Sequence, residues 1–170
     1  MSVIATLNVG ANGATTLAGT SAGISTAADR ERFLKLHRRA GLHIAGANSA
    51  ASELYSSTKI PLVILARSTQ SNISHGREII NTSDGLKSVM REIKARFPAP
   101  IVVEAGPTLL TALVNEGCID EIELSISPIL GDGNFINHIE LLSQFTITVD
   151  ENIDGTRLLH GRYNGDSAYR

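Results

Sequence analysis

Strand-like and helix-like segments alternate along this chain from Val3 to Gly117, and only strand-like segments follow Asp120. The strand candidates include LHIAGA, IPLVILA and APIVVEA, which are short apolar runs bounded by glycine, proline or polar residues. Such runs are typical of parallel strands that are buried on both faces. Strands that alternate with helices imply parallel crossovers, and a strand-rich tail implies antiparallel additions to the same sheet. The order therefore predicts a single α/β domain over residues 1–170 with a mixed, mainly parallel sheet.

Three helices are predicted between these strands. The first follows Ser25 or Thr26, either of which can cap it, and it ends at Gly41. The second is SDGLKSVMREIKARF, which has one apolar side and is stopped by Pro98. The third is PTLLTALVNEG, with Pro107 in its first turn. The later segments DEIELSISPIL, IELLSQFTITVDEN and GTRLLHGRY are predicted to be strands.

Two glycine-containing segments have neither the helical nor the strand period. The stretch Gly10–Ser25 lies between a strand and a strong helix, which favours a long binding loop or lid over a disordered linker. The stretch SPILGDG, Ser127–Gly133, can form a bulge and turn at the rim of a pocket, but a tight hairpin explains its residues equally well. We favour the structural interpretation for this second segment.

Charge and cysteine content exclude several classes of function. The net charge is −2 and the pI about 6.2, so nothing points to nucleic acid or to anionic lipid as a partner. The sequence has no run of membrane-spanning length, and MSVIATLNVG lacks the charged start of a secretory signal, which favours the cytoplasm. Cys118 is the single cysteine, and no two histidines stand at a ligand spacing such as HxxxH. No metal site is therefore expected.

The segment VVEAGPTLL, Val102–Leu110, carries the strongest indication of a ligand site. An apolar strand ends there at Glu104, and a helix starts at Pro107 or Thr108. Gly106 allows a ligand to approach the backbone, and the free N–H groups of a first helical turn attract phosphate. The alternative is a plain turn from strand to helix, in which Glu104 lies at the surface or caps the helix.

Two other predicted strands end in similar residues. One is followed by Gly46, Asn48 and Ser49, and the other by Arg67 and Ser68. Arg67 and Ser68 can hold a phosphate monoester through a guanidinium fork and a hydroxyl, although a solvated charge at a strand end is the commoner role of an isolated arginine. In open α/β sheets ligands bind beyond the carboxyl ends of the strands. A dinucleotide that lies across this edge would use all three strand ends.

The stretch VVEAGPTLLTALVNEGCIDEIELSISPILGDG resembles the late signature of the riboflavin-biosynthesis reductases, which are pyrimidine reductases with a dihydrofolate-reductase-like fold. That signature is a Glu-Gly-Gly-Pro-Thr-Leu turn, a helix, Asp-Glu, then a proline and Gly-x-Gly. The segment LAGTSAGISTAADRERFLKLHRRAGLHIAGANSA is similar to the family's early half. The resemblance covers most of the chain. It implies a three-layer fold with an eight-stranded mixed sheet, NADPH as the hydride donor, and a homodimer.

The resemblance also implies roles for the residues at the strand ends. Those after the first such strand, Gly46, Asn48 and Ser49, are expected beside the cofactor's phosphates, and Arg67 and Ser68 beside its adenosine 2'-phosphate. Glu104 would face the reaction centre as the catalytic carboxylate. The residues expected beside the pyrophosphate and the nicotinamide ribose are Gly106, Pro107, Thr108 and Leu109. The peptide between Ala105 and Gly106 is expected to be cis, as the corresponding Gly-Gly peptide can be in this fold.

The chain departs from the family pattern on the substrate side. The family has Ser-x-Asp-Gly-Lys after the first strand, and the best ungapped match is NGATT, which aligns the acid with Ala14, the glycine with Thr15 and the lysine with Thr16. The arginine and aspartate that flank the entry to the second strand become His37 and Gly41. We expect the helix to point His37 towards solvent.

The leading hypothesis is therefore an NADPH-dependent reductase that acts on a pyrimidine- or pterin-like small molecule. The alternative is a nucleotide-binding dimeric module of the same fold with weak or no catalysis, which the missing acid favours. An unrelated α/β hydrolase or transferase is disfavoured, because the sequence has no Walker loop and its G-x-S-x-G match, Gly19–Gly23, does not directly follow a predicted strand as a nucleophile elbow would.

Overall fold

A computed structural model describes residues 2–47, 60–67 and 77–165. Within these ranges the strands are β1 Val3–Gly10, β2 Ala14–Thr16, β3 Leu42–Gly46, β4 Leu62–Ala66, β5 Glu78–Asn81, β6 Ile101–Glu104, β7 Glu121–Ser127, β8 Gly133–Phe135, β9 Phe145–Ile153 and β10 Thr156–Tyr163. The helices are α1 Ala27–Arg39, α2 Leu86–Arg96, α3 Pro107–Asn115 and α4 His138–Ser143, and a short 3-10 turn covers Ser21–Gly23.

The described residues form an eight-stranded sheet with the order β5-β4-β3-β6-β1-β7-β10-β9. All neighbours from β5 to β7 are parallel, and β10 is antiparallel to both β7 and β9. The predicted mixed, mainly parallel sheet is confirmed. One detail of the prediction was wrong, because β7 pairs in parallel with β1 instead of joining as an antiparallel strand. Helix α3 separates β6 from β7, and this crossover gives β7 the direction of β6.

The two faces of the sheet differ in polarity. Along β1, residues Val3, Ala5, Leu7 and Val9 point to one face and belong to the main hydrophobic core. The core also contains the apolar sides of α2 and α3, namely Leu86, Val89, Met90, Ile93, Leu110, Leu113 and Val114. These side chains bury the predicted apolar stripe of each helix against the sheet.

Helix α1 covers the other face and contacts it largely through polar side chains. The Thr26 hydroxyl accepts the N–H of Asp29, so the predicted cap of the helix is Thr26. Asp29 is buried and accepts hydrogen bonds from Ser25 and from Ser125 of β7. Arg32 lies one turn further along the helix and forms an ion pair with Glu123 at 3.2 Å. These contacts fix the position of α1 over the middle of the sheet.

Two further predictions about secondary structure were wrong. The stretch Gly10–Ser25 is not a featureless loop, because β2 within it pairs with β8 in a separate two-stranded sheet. The segment from His138 to Ser143 is helical, with Asn137 accepting the N–H of Glu140 at its start, and β9 begins only at Phe145. Elements of three to six residues are too short to show a period in the sequence.

No helix in the described ranges is long and apolar enough to span a membrane.

Candidate functional site

The sheet order places the sequence-predicted strand ends side by side. Strands β4, β3 and β6 are consecutive neighbours and parallel, with Gly46 opposite Leu65 and Ala45 opposite Glu104. Their carboxyl ends therefore share one edge, and Arg67, Gly46 and Gly106 lie along it. The predicted site residues Asn48, Ser49 and Ser68 lie outside the described residues.

The backbone at Gly106 leaves an open space above the turn. Gly106 is exposed, and a Cβ placed on it would meet no described atom within 4 Å. Its φ of −63° and ψ of 166° are values that any L residue adopts. The described residues thus impose no need for glycine at this position, whereas a ligand that packs on the backbone would need it.

The expected cis peptide between Ala105 and Gly106 is not present. The cis bond in the described ranges is Ala99–Pro100, and the Ala105–Gly106 bond is trans. A non-proline cis bond costs about 3–4 kcal/mol. The extended backbone of Gly106 leads from β6 into α3 without that cost.

The first turn of α3 offers backbone donors to the same open space. Pro107 occupies the first turn and has no N–H, and the first intrahelical bond runs from the N–H of Leu110 to the carbonyl of Gly106. The N–H groups of Thr108 and Leu109 therefore precede the hydrogen-bonded part of the helix. Thr108 is exposed, and Leu109 Cδ2 lies 3.4 Å from where a Cβ on Gly46 would be. A group lying across Gly46 and Gly106 would meet both donors.

Arg67 follows β4 directly and is exposed. It forms no ion pair with any residue in the described ranges. An exposed guanidinium without a carboxylate partner is free to receive an anionic group of a ligand. The position agrees with the predicted role of Arg67, and that role stays a prediction.

Glu104 ends β6 and turns its carboxylate towards the face covered by α1. Its side chain is 14% exposed, and its Oε1 atom is buried without a hydrogen-bond partner among the described residues. Oε1 lies 3.6 Å from Nδ1 of His43, which is longer than a hydrogen bond. The carboxylate therefore combines partial exposure with one oxygen that faces a buried imidazole.

Two histidines lie behind this carboxylate. His43 on β3 is fully buried, and its ring packs on that of His37 with centroids 3.9 Å apart. Burial lowers the pKa of His37, and the neighbouring His43 lowers it further. The prediction that His37 points to solvent was wrong. The missed signal was His43 itself, a polar residue within the apolar strand LHIAGA.

The turn after β1 contains Asn12 and Gly13. Gly13 has a φ of +82°, the left-handed conformation that glycine supports, and Asn12 precedes it. Asn12 accepts from the N–H of Gly131 and donates to its carbonyl oxygen, which ties the turn to the loop after β7. Ala14, the position matched to the family's acid, is fully buried in β2. Asn12 and Gly13 therefore lie in the turn itself, whereas the matched position Ala14 lies in β2.

The loop Ser127–Gly133 is packed against this turn, in agreement with the favoured structural interpretation. A Cβ on Gly131 would lie 2.5 Å from the Thr16 carbonyl oxygen, and one on Gly10 would lie 2.5 Å from that of Ile129. The loop is not a hairpin, since it connects β7 to the separate strand β8.

Comparison with known proteins defines the class of the fold. A pyrimidine reductase-like protein from Corynebacterium diphtheriae superposes with a TM-score of 0.76 at 16% identity, over 97% of this chain and 92% of that one. RibD from Acinetobacter baumannii gives 0.73 at 17% identity, over 96% of this chain and 58% of that one. Dihydrofolate reductase from Enterococcus faecalis, complexed with NADP(H) and RAB-propyl, gives 0.69 at 11% identity, over 96% and 97%. The molecule is an α/β protein with the dihydrofolate-reductase-like fold.

The sequence comparison places the chain within this class. The RibD C-terminal domain family matches residues 2–147. No curated protein sequence matches the chain. The chain belongs to the RibD C-terminal domain family, which confirms the resemblance noted in the sequence.

Proposed function

We propose that the protein is an NADPH-dependent reductase of a pyrimidine- or pterin-like small molecule. The observation that carries the proposal is the open backbone at Gly106, where the fold itself does not require glycine. The turn lies at the carboxyl edge of the parallel strands, beside the N-terminus of α3. Ligands bind at this place in open α/β sheets.

Different residues along the edge would bind different parts of the cofactor. Gly46 and Gly106 would leave room for the pyrophosphate, and the N–H groups of Thr108 and Leu109 would donate hydrogen bonds to it. Arg67, one strand further out, would bind the adenosine 2'-phosphate. Pro107 holds the first turn of α3 in place. The E. faecalis dihydrofolate reductase of similar fold was solved with NADP(H), which supports a nicotinamide cofactor here.

Glu104 is the residue that we assign to the reaction. NADPH supplies the hydride when it is bound, and the protein's part is to orient the acceptor and balance its charge. The carboxylate of Glu104, partly exposed beside the Gly106 turn, stabilises the positive charge of a protonated carbon–nitrogen double bond. We infer from its place in the turn after β1 that Asn12 stands where the family has its loop acid, and an amide side chain has no proton to give near neutral pH. A positioned acid contributes typically 10²–10⁴-fold, so reduction of the riboflavin-pathway aminopyrimidine is expected to be slow.

A second function is favoured by the same asparagine. With Asn12 in place of an acid, the chain can bind a nucleotide at the edge of the sheet without turning over a substrate. This alternative is a binding or regulatory module of the same fold. It shares the cofactor site with the first proposal and differs only in the absence of chemistry.

Turnover measurements separate the two functions. The purified protein is incubated with NADPH and a panel of pterins and aminopyrimidines, and the loss of NADPH absorbance is followed. Reduction of any member that is abolished by Glu104→Gln, with cofactor affinity changed by no more than a few-fold, supports the reductase. Binding of NADPH without reduction of any member supports the module. Fast reduction of the riboflavin-pathway aminopyrimidine would contradict the assignment of Asn12.

We also propose that the protein is a homodimer. Several large apolar side chains are exposed, and three of them lie on β9, the terminal strand of the sheet order: Ile147, Val149 and Ile153. Exposed apolar patches on a sheet edge are typical of association surfaces. Light scattering of the protein at micromolar concentration tests this, and a monomer mass would contradict it.

A further inference from the structure

We propose that His37, His43 and Glu104 form a binding site for one divalent transition-metal ion. One ring nitrogen of each histidine and one carboxylate oxygen lie within 4.8 Å of one another. The sequence shows no such site, because His37 and His43 are not at the HxxxH spacing and Glu104 is distant in the chain. The fold brings the three together from α1, β3 and β6.

The burial of polar atoms is the first argument for a ligand at this place. His43 is fully buried, and both of its ring nitrogens have no hydrogen-bond partner among the described residues. Oε1 of Glu104 is also buried and also has no hydrogen-bond partner among the described residues, and it lies 3.6 Å from Nδ1 of His43. Buried polar atoms are nearly always satisfied, and leaving one unsatisfied costs about 1–3 kcal/mol. A metal ion satisfies a nitrogen and an oxygen lone pair at once.

The chemistry of the donors selects the kind of ion. Two imidazoles and one carboxylate suit zinc, iron, cobalt and nickel, whereas magnesium and calcium prefer oxygen ligands only. Two histidines and a glutamate also form the protein ligand set of some catalytic zinc sites, in which a further position is open to water. The ion bound here is therefore of the zinc and iron class, with three protein ligands.

The positions of the three ligands allow them to converge on one ion and allow that ion to enter the site. His43 and Glu104 are on neighbouring strands of the central sheet, with Ala45 and Glu104 opposite one another in the register. His37 lies in the last turn of α1 and is half-buried. The two rings are tilted by 40° with centroids 3.9 Å apart, so small rotations bring their nitrogens to one ion. A bound ion would join α1 to two strands and so stabilise the fold.

The metal site shares Glu104 with the proposed reductase, but its test contains neither NADPH nor substrate, so the two proposals can fail separately. Protein dialysed against a chelator is titrated with Zn²⁺ alone by calorimetry and with Co²⁺ alone by visible absorption. We expect one ion per chain and a Co²⁺ d–d spectrum that shows nitrogen ligation. At a free Zn²⁺ concentration about 100-fold above Kd, the Tm should rise by roughly 5–10 °C.

Two variants and a control assign the ligands. His37→Ala and Glu104→Gln should each weaken Zn²⁺ binding by about 10-fold or more, and the glutamine keeps the shape of the side chain. His138→Ala removes another half-buried histidine, which lies outside the cluster, and should bind Zn²⁺ like the parent protein. Unfolding of each variant without metal shows whether it is folded. Failure to bind one ion per chain, or unchanged binding in His37→Ala and Glu104→Gln, would overturn the proposal.

Discussion

Ser125 on β7 donates a hydrogen bond of 2.6 Å to Asp29 on α1 and accepts one of 2.7 Å from Arg32 on the same helix. The hydroxyl is fully buried and lies between an acid and a base that are one turn apart. Arg32 also donates to the carbonyl oxygen of Leu159 at 3.0 Å. This small network joins α1 to β7 and β10.

Ser125→Ala should lower the free energy of unfolding by about 1–3 kcal/mol, because Asp29 and Arg32 each lose one buried, charge-assisted hydrogen bond. Urea unfolding measures the change. The control is Thr148→Ala, whose hydroxyl makes an exposed hydrogen bond of 3.3 Å to His160, and whose effect should be within about 0.5 kcal/mol. Equal stabilities of the two variants would show that the network contributes nothing.

Gly106→Ala should leave stability unchanged to within about 0.5 kcal/mol and weaken NADPH binding by about 10-fold or more. The added methyl meets no described atom within 4 Å, so any loss must come from the ligand. Gly131→Ala is the matched comparison, because its Cβ would lie 2.5 Å from the Thr16 carbonyl oxygen and should destabilise the fold. Unchanged NADPH affinity in Gly106→Ala would contradict the position that we assign to the pyrophosphate.

Arg67→Ala should remove most of the preference for NADPH over NADH. A charge-assisted hydrogen bond to the 2'-phosphate is worth roughly 1.5–3 kcal/mol, which corresponds to about 10- to 100-fold in affinity. Parallel fluorescence titrations with the two cofactors measure the preference. Arg91→Ala, which removes an exposed arginine of α2, serves as the control and should retain it. Equal affinities of the parent protein for NADPH and NADH would refute the role of Arg67.

Acidification should destabilise the fold partly through His138. Burial lowers the pKa of His138, so the folded state favours the neutral ring and the unfolded state binds more protons below about pH 6.5. The contribution is present above that pH and is lost as the pH falls through the lowered pKa. In His138→Gln the decline in unfolding free energy between about pH 7 and pH 5 should be shallower. Urea unfolding across this range measures it, and an identical slope in both proteins would exclude the effect.

The sequence indicates the strand ends well because they depend on local signals. Apolar runs give β3, β4 and β6, and the parallel arrangement alone places Gly46, Arg67 and Gly106 on one edge. The direction of β7 and the pairing of β2 with β8 were missed, since they depend on connections between distant segments.

The contact between His37 and His43 also could not be predicted from the sequence. Six positions separate His37 from His43, and no periodicity links a residue in the last turn of a helix to one inside the next strand. Their contact results from the way α1 packs on the sheet, which the buried network around Ser125 determines. The sequence likewise could not predict that the Ala105–Gly106 peptide is trans, because the turn pattern is compatible with either isomer.

Titration of the chelator-treated protein with NADPH, followed by cofactor fluorescence, tests whether the sheet edge binds a nicotinamide cofactor. Chelation keeps the result independent of the proposed metal site. We predict saturable binding of one NADPH per chain, weakened in Gly106→Ala while the variant remains as stable as the parent. The absence of saturable binding by the folded protein would contradict the assignment of a nicotinamide cofactor to the edge formed by β4, β3 and β6.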